Sequence, residues 1–204
     1  MNENNSRYNN ADHYKALRDD YKTPPHIYEP ILKYFKRDKF DIDVCCTDKN
    51  IPAEKHFTKE EDGLKQEWNG LCFCNPPWNQ SIKFVKKAIK EMEQKRDLQV
   101  VFVLSSDKMY INYVQDYFLT NPDCAFLILR GKQGFVIPGQ EDEPLKPSVG
   151  TMIAILSKNA PGIQYGMNFY DTYKTPVFLG KKPSEYGGPS DENGEIAAEN
   201  EKAV

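Results

Sequence analysis

Leu71-Cys-Phe-Cys-Asn-Pro-Pro-Trp78 is the stretch that decides how this chain folds. Four strand-forming residues run straight into Asn75, two consecutive prolines and an aromatic ring. Prolines fix φ and remove two backbone donors, so the turn is stiff and leaves carbonyls free to accept. A stiff turn at a strand end holds the Asn75 side-chain oxygen and the Pro76 carbonyl in convergent positions, with the flat Trp78 ring beside them. That set suits a planar group bearing an exocyclic NH2: two acceptors for its two hydrogens and a ring to stack on. An amine held this way has its lone pair free to attack a neighbouring electrophile. The plainer reading is an ordinary strand-ending turn with one buried Trp, since Asn-Pro is a common turn opener.

Outward from this turn, apolar patterning alternates between two periods. Ile82, Val85, Ile89 and Met92 are spaced as an amphipathic helix reaching about Lys95. Leu98–Leu104 is a nearly unbroken, valine-rich apolar run, as expected of a strand covered on both faces. A helix near Met109–Leu119, a strand at Cys124–Leu129, and another near Val149–Leu156 after a Pro/Gly-rich loop follow. On the other side, Thr23-Pro24-Pro25 opens a helix, with Thr23 as N-cap and the prolines in the first turn. Ile27, Ile31 and Phe35 continue it to about Arg37, and Phe40, Ile42 and Val44 alternate with Asp41 and Asp43 as a short strand. Strands alternating with helices predict an α/β fold with a mainly parallel, doubly wound, Rossmann-like sheet. Ligands bind such sheets beyond the carboxyl ends of the strands, where Asp43–Cys46 and Asn75–Trp78 both fall.

A chain of 204 residues supports one sizeable core. The expected organisation is a disordered polar tail over 1–12, one domain over 13–181 and a disordered acidic tail over 182–204. The formal net charge is −3, but Asp191, Glu192, Glu195, Glu199 and Glu201 all sit in that tail. The remainder is slightly basic, which neither demands nor excludes a nucleic-acid partner. The five cysteines lie mostly in apolar strand-like runs, as expected of reduced thiols in a cytoplasmic protein. Cys72-Phe-Cys74 is not a zinc spacing and the three histidines are scattered, so no metal is expected. No apolar run reaches membrane-spanning length and the N-terminus does not read as a signal peptide, so no membrane contact is expected.

The turn matches the (Asp/Asn/Ser)-Pro-Pro-(Tyr/Phe/Trp) signature of amino-group methyltransferases. Together with the upstream run Phe57-Thr-Lys-Glu-Glu-Asp62-Gly63-Leu64-Lys-Gln66-Glu-Trp68-Asn-Gly70, it resembles the small phage-type Dam family of DNA N6-adenine methyltransferases, over about residues 20–156. The resemblance implies a class I methyltransferase sheet, S-adenosylmethionine as cofactor, and DNA as partner, with the adenine flipped from the duplex or single-stranded. It also implies a setting in the host-cell cytoplasm if the chain is phage-encoded. Asn75, Pro76, Pro77 and Trp78 would be the catalytic residues. Asp43, followed by the small Cys45, matches the first cofactor motif, near the methionine end; taken alone, it reads as a solvent-facing charge. Thr23-Pro24 matches the Thr-Pro pair that caps the methionine pocket, and a helix N-cap explains it equally well. Asp62 stands where relatives bind the cofactor's adenine amino group, although Asp-Gly is also a plain turn dipeptide. The usual glycine-rich loop is missing, Thr47-Asp-Lys-Asn50 standing in its place. Asp48 and Glu54 are candidates for the ribose hydroxyls, at compressed spacing.

Lys83, Lys86, Lys87 and Lys90 line the polar side of the helix after the turn, as a solvated face or as phosphate contacts. Phe135 and the loop 133–147 are candidates for touching the target. Two further readings remain open on the residues alone. One is a methyltransferase acting on an RNA base or a protein glutamine amide; the other is a nucleic-acid-binding module on a decayed methyltransferase fold.

Overall fold

Directly after Pro24, helix α1 (Pro25–Tyr34) starts with a proline at its first position, where the missing N–H costs nothing. The computed structural model describes residues 21–137, 140–145, 149–158 and 166–170. Both expected tails, 1–12 and 182–204, lie outside them. The chain continues through β1 (Phe40–Asp43), β2 (Ala53–His56), β3 (Leu71–Cys74), α2 (Ser81–Gln94) and β4 (Gln99–Ser105). Then come a 3-10 turn (Ser106–Tyr110), a short α3 (Asn112–Val114) running into a π turn (Gln115–Leu119), and β5 (Cys124–Leu129). The strands β6 (Phe135–Ile137), β7 (Gln140–Leu145), β8 (Thr151–Ser157) and β9 (Gly166–Tyr170) complete the order.

Among the described residues, seven strands form one mixed sheet in the order β2-β1-β3-β4-β8-β5-β9. Neighbours from β2 to β4 pair in parallel, as do β5 and β9. Strand β8 runs antiparallel between β4 and β5. Its direction follows from where it starts. Phe135, beyond the end of β5, and Gly150, just before β8, line the same cleft at one edge of the sheet, and a strand leaving that edge must run back. The mainly parallel expectation therefore holds with one antiparallel strand inside it.

Helices cover both faces. On one, Phe84, Val85, Ala88 and Met92 of α2, with Val114 and Phe118, pack on Cys72, Cys74, Val100, Phe102 and Ala154. On the other, Ile27, Tyr28, Ile31 and Leu32 of α1 pack on Leu71, Phe73, Val101, Val103 and Ile153. Burial on both faces is why Leu98–Leu104 reads as a continuous apolar run.

Several expectations need correction. Pro24, not Thr23, is the N-cap of α1, and no side chain caps that end. The helix ends at Tyr34, short of Arg37. Residues 109–119 do not form one helix, because Ile111 takes an extended conformation between the 3-10 turn and α3. The loop 133–147 contains an antiparallel ribbon, β6 with β7. Strand β2 has no apolar alternation to announce it: Ala-Glu-Lys-His is polar, as an edge strand held through its backbone to β1 is free to be. Ile82, assigned by spacing to the buried face of α2, is 37% exposed, whereas Phe84 and Ala88 are buried.

The connection from β2 to β3 is fixed by close backbone approach. Asp62 has φ +50°, and a Cβ added to Gly63 would stand 1.9 Å from the Val44 carbonyl oxygen. The Gly63 carbonyl in turn accepts a 2.8 Å hydrogen bond from Trp68 Nε1, whose indole is fully buried and stacked on Phe84. Gly63→Ala should lower stability by about 1–3 kcal/mol, because backbone meets the new methyl and cannot yield as a side chain would. Urea unfolding checks this; wild-type stability would contradict the close approach.

Candidate active site

Strand β1 leads to β2 on one side of the sheet and, through β2, to β3 on the other, so β1/β3 is where the strand order reverses. In open α/β sheets the crevice outside the carboxyl ends at such a point is the ligand site. Register puts Ile42 beside Cys72 and Asp43 beside Phe73, so the residues ending β1 and following β3 emerge side by side. Asp43, Cys45 and Asn75 therefore share one edge.

The turn at Asn75 is held from both ends. Pro76 is buried, and the Pro77 carbonyl accepts from the Gln80 amide at 2.9 Å and from Ser81 Oγ at 3.2 Å. Ser81 Oγ also donates to the Trp78 carbonyl, tying the turn to the first residue of α2. Asn75 Nδ2 donates to Thr23 Oγ1 at 3.1 Å. That bond uses the nitrogen end of the amide, leaving the oxygen as the end that accepts from a ligand. Thr23 is itself fixed, since its carbonyl accepts from Asn50 Nδ2 at 3.0 Å. Next to it, Lys22 exchanges backbone hydrogen bonds with Val136 of β6 and forms an ion pair with Asp48 at 2.8 Å. What the sequence reads as a helix cap is thus a brace between the turn, the 44–52 connection and the ribbon.

Three clefts lie along this edge and share walls. The first is lined by Asn75, Pro76, Trp78, Ser105, Lys108 and Phe135, among others. The second is lined by Thr23, Asp43, Cys45, Asp48 and Asn75. The third, about 530 Å³, is lined by Val44, Cys45, Asp62, Gly63, Pro77 and Phe84. Its volume lies in the range of small-molecule sites, about 300–1,000 Å³. Asn75 belongs to the first two clefts and Cys45 to the last two, so the three make one groove. The groove gathers every expected site residue except Pro24, which is buried in the brace. Of the two ribose candidates, Asp48 lines the groove, whereas Glu54 pairs with Lys39 on the edge strand.

The electrostatics differ along the groove. Asp43 is 3% exposed, so it is not the solvent-facing charge of the plainer reading. Burial pushes its carboxyl up to about 7, opposed by the Cys45 amide that it accepts from, with Asp48 adding a smaller upward push. Asp62 sits at the open end, paired with Lys65 at 3.0 Å, and the Lys65 hydrogen bond holds its carboxyl below the ordinary range. Cys45 and Cys74 bring their sulfurs to 3.7 Å, and burial keeps the Cys74 thiol well above its usual pKa. Trp78 is 39% exposed, against the expectation of one buried Trp at a structural turn; Trp68 is the buried one. Lys108 Nζ lies 5.6 Å from the Trp78 ring centroid. Lys108 and Ser105 escape a sequence reading because no motif marks them. Their signal is position alone, at the carboxyl end of β4.

Asp43 makes stability depend on pH. The folded state holds a proton that the unfolded chain releases near its ordinary value of 3.8, so unfolding releases it across the interval up to about 7. The contribution is full below that interval and is lost as pH rises through about 7. Asp43→Asn should abolish this decline. Melting curves from pH 4 to 8 check it; parallel curves for the two proteins would contradict it.

The chain is similar to known proteins. A family model described as DNA N-6-adenine-methyltransferase (Dam) matches residues 10–167. A DNA N-6-adenine-methyltransferase of Haemophilus phage HP1 is 28% identical over 120 residues, covering 55% of this chain and 69% of that protein. A DNA N-6-adenine-methyltransferase of Escherichia phage T1 is 30% identical over 97 residues, covering 47% of this chain and 40% of that protein. No solved structure matches the chain.

Proposed function

We propose that this chain, which belongs to the DNA N-6-adenine-methyltransferase (Dam) family, transfers a methyl group from S-adenosylmethionine to N6 of adenine in DNA. The observation that carries the reading is the placement of Asn75 in both the Trp78 cleft and the Asp43 cleft. A residue in that position meets a target base on one side and a cofactor on the other. The domain is one methyltransferase unit over 13–181, its sheet of the class I type, working in the cytoplasm, the host cell's if the chain is phage-encoded.

The donor set fits the cofactor. A buried carboxylate at Asp43 suits the amino group of a methionine moiety, the small Cys45 allows close approach, and Thr23 with Pro24 closes that end. Asp62, in the roomy third cleft, would accept from the cofactor's adenine amino group. When bound, S-adenosylmethionine supplies an activated methyl group. The chain's own part is to orient the acceptor. Adenine enters the first cleft flipped from a duplex, or from a single strand, since N6 is out of reach inside the helix. Trp78 stacks on the base, while Asn75 Oδ1 and the Pro76 carbonyl accept its amino hydrogens, with Pro77 stiffening the turn. These acceptors stabilise the positive charge that builds on nitrogen, so no strong base is needed at first, and the surplus proton is lost to solvent after the transfer. Holding nitrogen in line with the methyl group lowers much of the remaining barrier.

Incubation with labelled cofactor and unmethylated DNA, then digestion to nucleosides, should put the label in N6-methyladenine; label in another base, or none, overturns the proposal. Asn75→Ala should lose about 10²–10³-fold in rate while keeping cofactor affinity. Trp78→Phe should retain part of the activity and Trp78→Ala very little, as base stacking contributes about 1–3 kcal/mol. A parental rate in Asn75→Ala would make the turn structural.

Calorimetry should show S-adenosylmethionine binding, weakened in Asp43→Ala and Asp62→Ala. Because the ammonium group needs an ionised partner, wild-type affinity should rise with pH through about 7 and that dependence should vanish in Asp43→Asn. No binding at millimolar cofactor would sink the enzyme reading.

A further inference from the structure

Among the described residues the large apolar side chains left exposed are Trp78, Ile82, Tyr110, Ile111 and Leu119. Of these, Trp78 lines the first cleft, and Ile82, Tyr110 and Ile111 lie within four residues of Trp78 or Lys108, two of its walls. The first four fall in two short segments, 78–82 and 108–111, joined where Lys108 lies over the Trp78 ring. Tyr110 stands out: it is 85% exposed at the end of the 3-10 turn that carries Lys108. An aromatic ring held out in water next to a binding cleft is placed to meet a partner.

Charge says what kind of partner. Exposed Lys83, Lys86 and Lys90 share one stripe of α2 with exposed Ile82, at spacings of three and four, beginning beside Trp78. No acidic residue occupies the first turn of α2. Lys87 is different: it pairs with Glu91 and lies over the buried Trp68 ring, so it belongs to the scaffold. The acid on the facing turn is Asp107, beside Lys108. A cationic stripe flanking an aromatic rim matches a polyanion with stacked rings.

We infer that the Tyr110 rim and the Lys83–Lys86–Lys90 stripe form the surface on which DNA docks, with the Tyr110 ring stacking on a base flanking the target adenine. The inference rests on the adenine-methylation reading and deepens it. The lysines hold phosphates without reading sequence, and Tyr110 replaces stacking that the flanking base loses when the adenine leaves its neighbours. Tyr110 is a positioning residue, acting on how the adenine is presented and not on its amine.

Steady-state methylation by Tyr110→Ala, Tyr110→Phe and Leu119→Ala, on DNA that the wild-type protein methylates, tests this. Tyr110→Ala should raise KM for DNA about tenfold, leave S-adenosylmethionine affinity unchanged and retain the wild-type melting temperature, since the side chain is exposed. Tyr110→Phe should restore KM and Leu119→Ala should not change it. Lys83→Gln with Lys86→Gln should reduce the slope of log affinity against log salt by about two for duplex DNA. If wild type methylates DNA and Tyr110→Ala has the parental KM, this inference is wrong and the methylation reading stands. If Tyr110→Ala instead abolishes self-association of the protein without altering KM, the rim binds a second copy and the inference is likewise wrong. If wild type methylates no DNA, both fall together.

Discussion

The hydrogen bond from Asn75 Nδ2 to Thr23 Oγ1 is the constraint on which the groove depends. An amide at the end of a turn has two faces to offer, one donating and one accepting, and nothing in the turn itself chooses between them. The threonine hydroxyl takes the donating end. The chain then secures the threonine: Asn50 holds its carbonyl, and the adjacent Lys22 is laced to Val136 and to Asp48. A segment before the first helix, the connection after β1 and the ribbon before β8 are thereby ordered around one side chain. In the proposed reaction, that arrangement sets the acceptor before a ligand arrives and leaves little reorganisation for the methyl transfer.

The sheet supplies the rest by topology. Because β1, β3 and β4 run parallel and in register, their carboxyl ends deliver Asp43, Asn75 and Ser105 to one edge without any of these residues contacting another in sequence. Parallel pairing has a second effect. It buries both faces of the central strands, and a carboxylate at a buried strand end loses its hydration, which is why the Asp43 carboxyl rises to about 7. The groove therefore holds a buried carboxyl and, in the adjoining cleft, an exposed, lysine-covered indole. The Cys45 thiol beside Asp43 is small and meets the Cys74 thiol, which burial keeps protonated.

Much of the fold is legible in the sequence where burial writes a pattern. The run Leu98–Leu104 and the alternation Phe40–Val44 both announce their strands. What is hidden has physical reasons. Strand β2 is held by backbone pairing at an edge, so its polar residues carry no period. Ile111 interrupts a helical pattern by taking an extended backbone that its side chain does not advertise. Ile82 follows helical spacing yet stands exposed, and its exposure has a use only once the neighbouring rim is seen. In the groove, Asn75 and Trp78 are readable because prolines fix their turn, and Asp43 because it ends a strand. Thr23 is readable as a residue and not as a role, since nothing in Thr-Pro-Pro distinguishes a cap from a brace. Lys108 and Tyr110 become meaningful only through contact and exposure, which spacing does not encode.

A crystal structure of the protein with S-adenosylhomocysteine, the demethylated product, is the most direct measurement of whether the three clefts act as one site. The account predicts the ammonium group on Asp43, the adenine ring in the cleft of Asp62, and the sulfur facing the Asn75 amide, with Asn75 Nδ2 still bonded to Thr23. Density for the ligand away from this groove, or an Asn75 amide turned so that its oxygen meets Thr23, would contradict it.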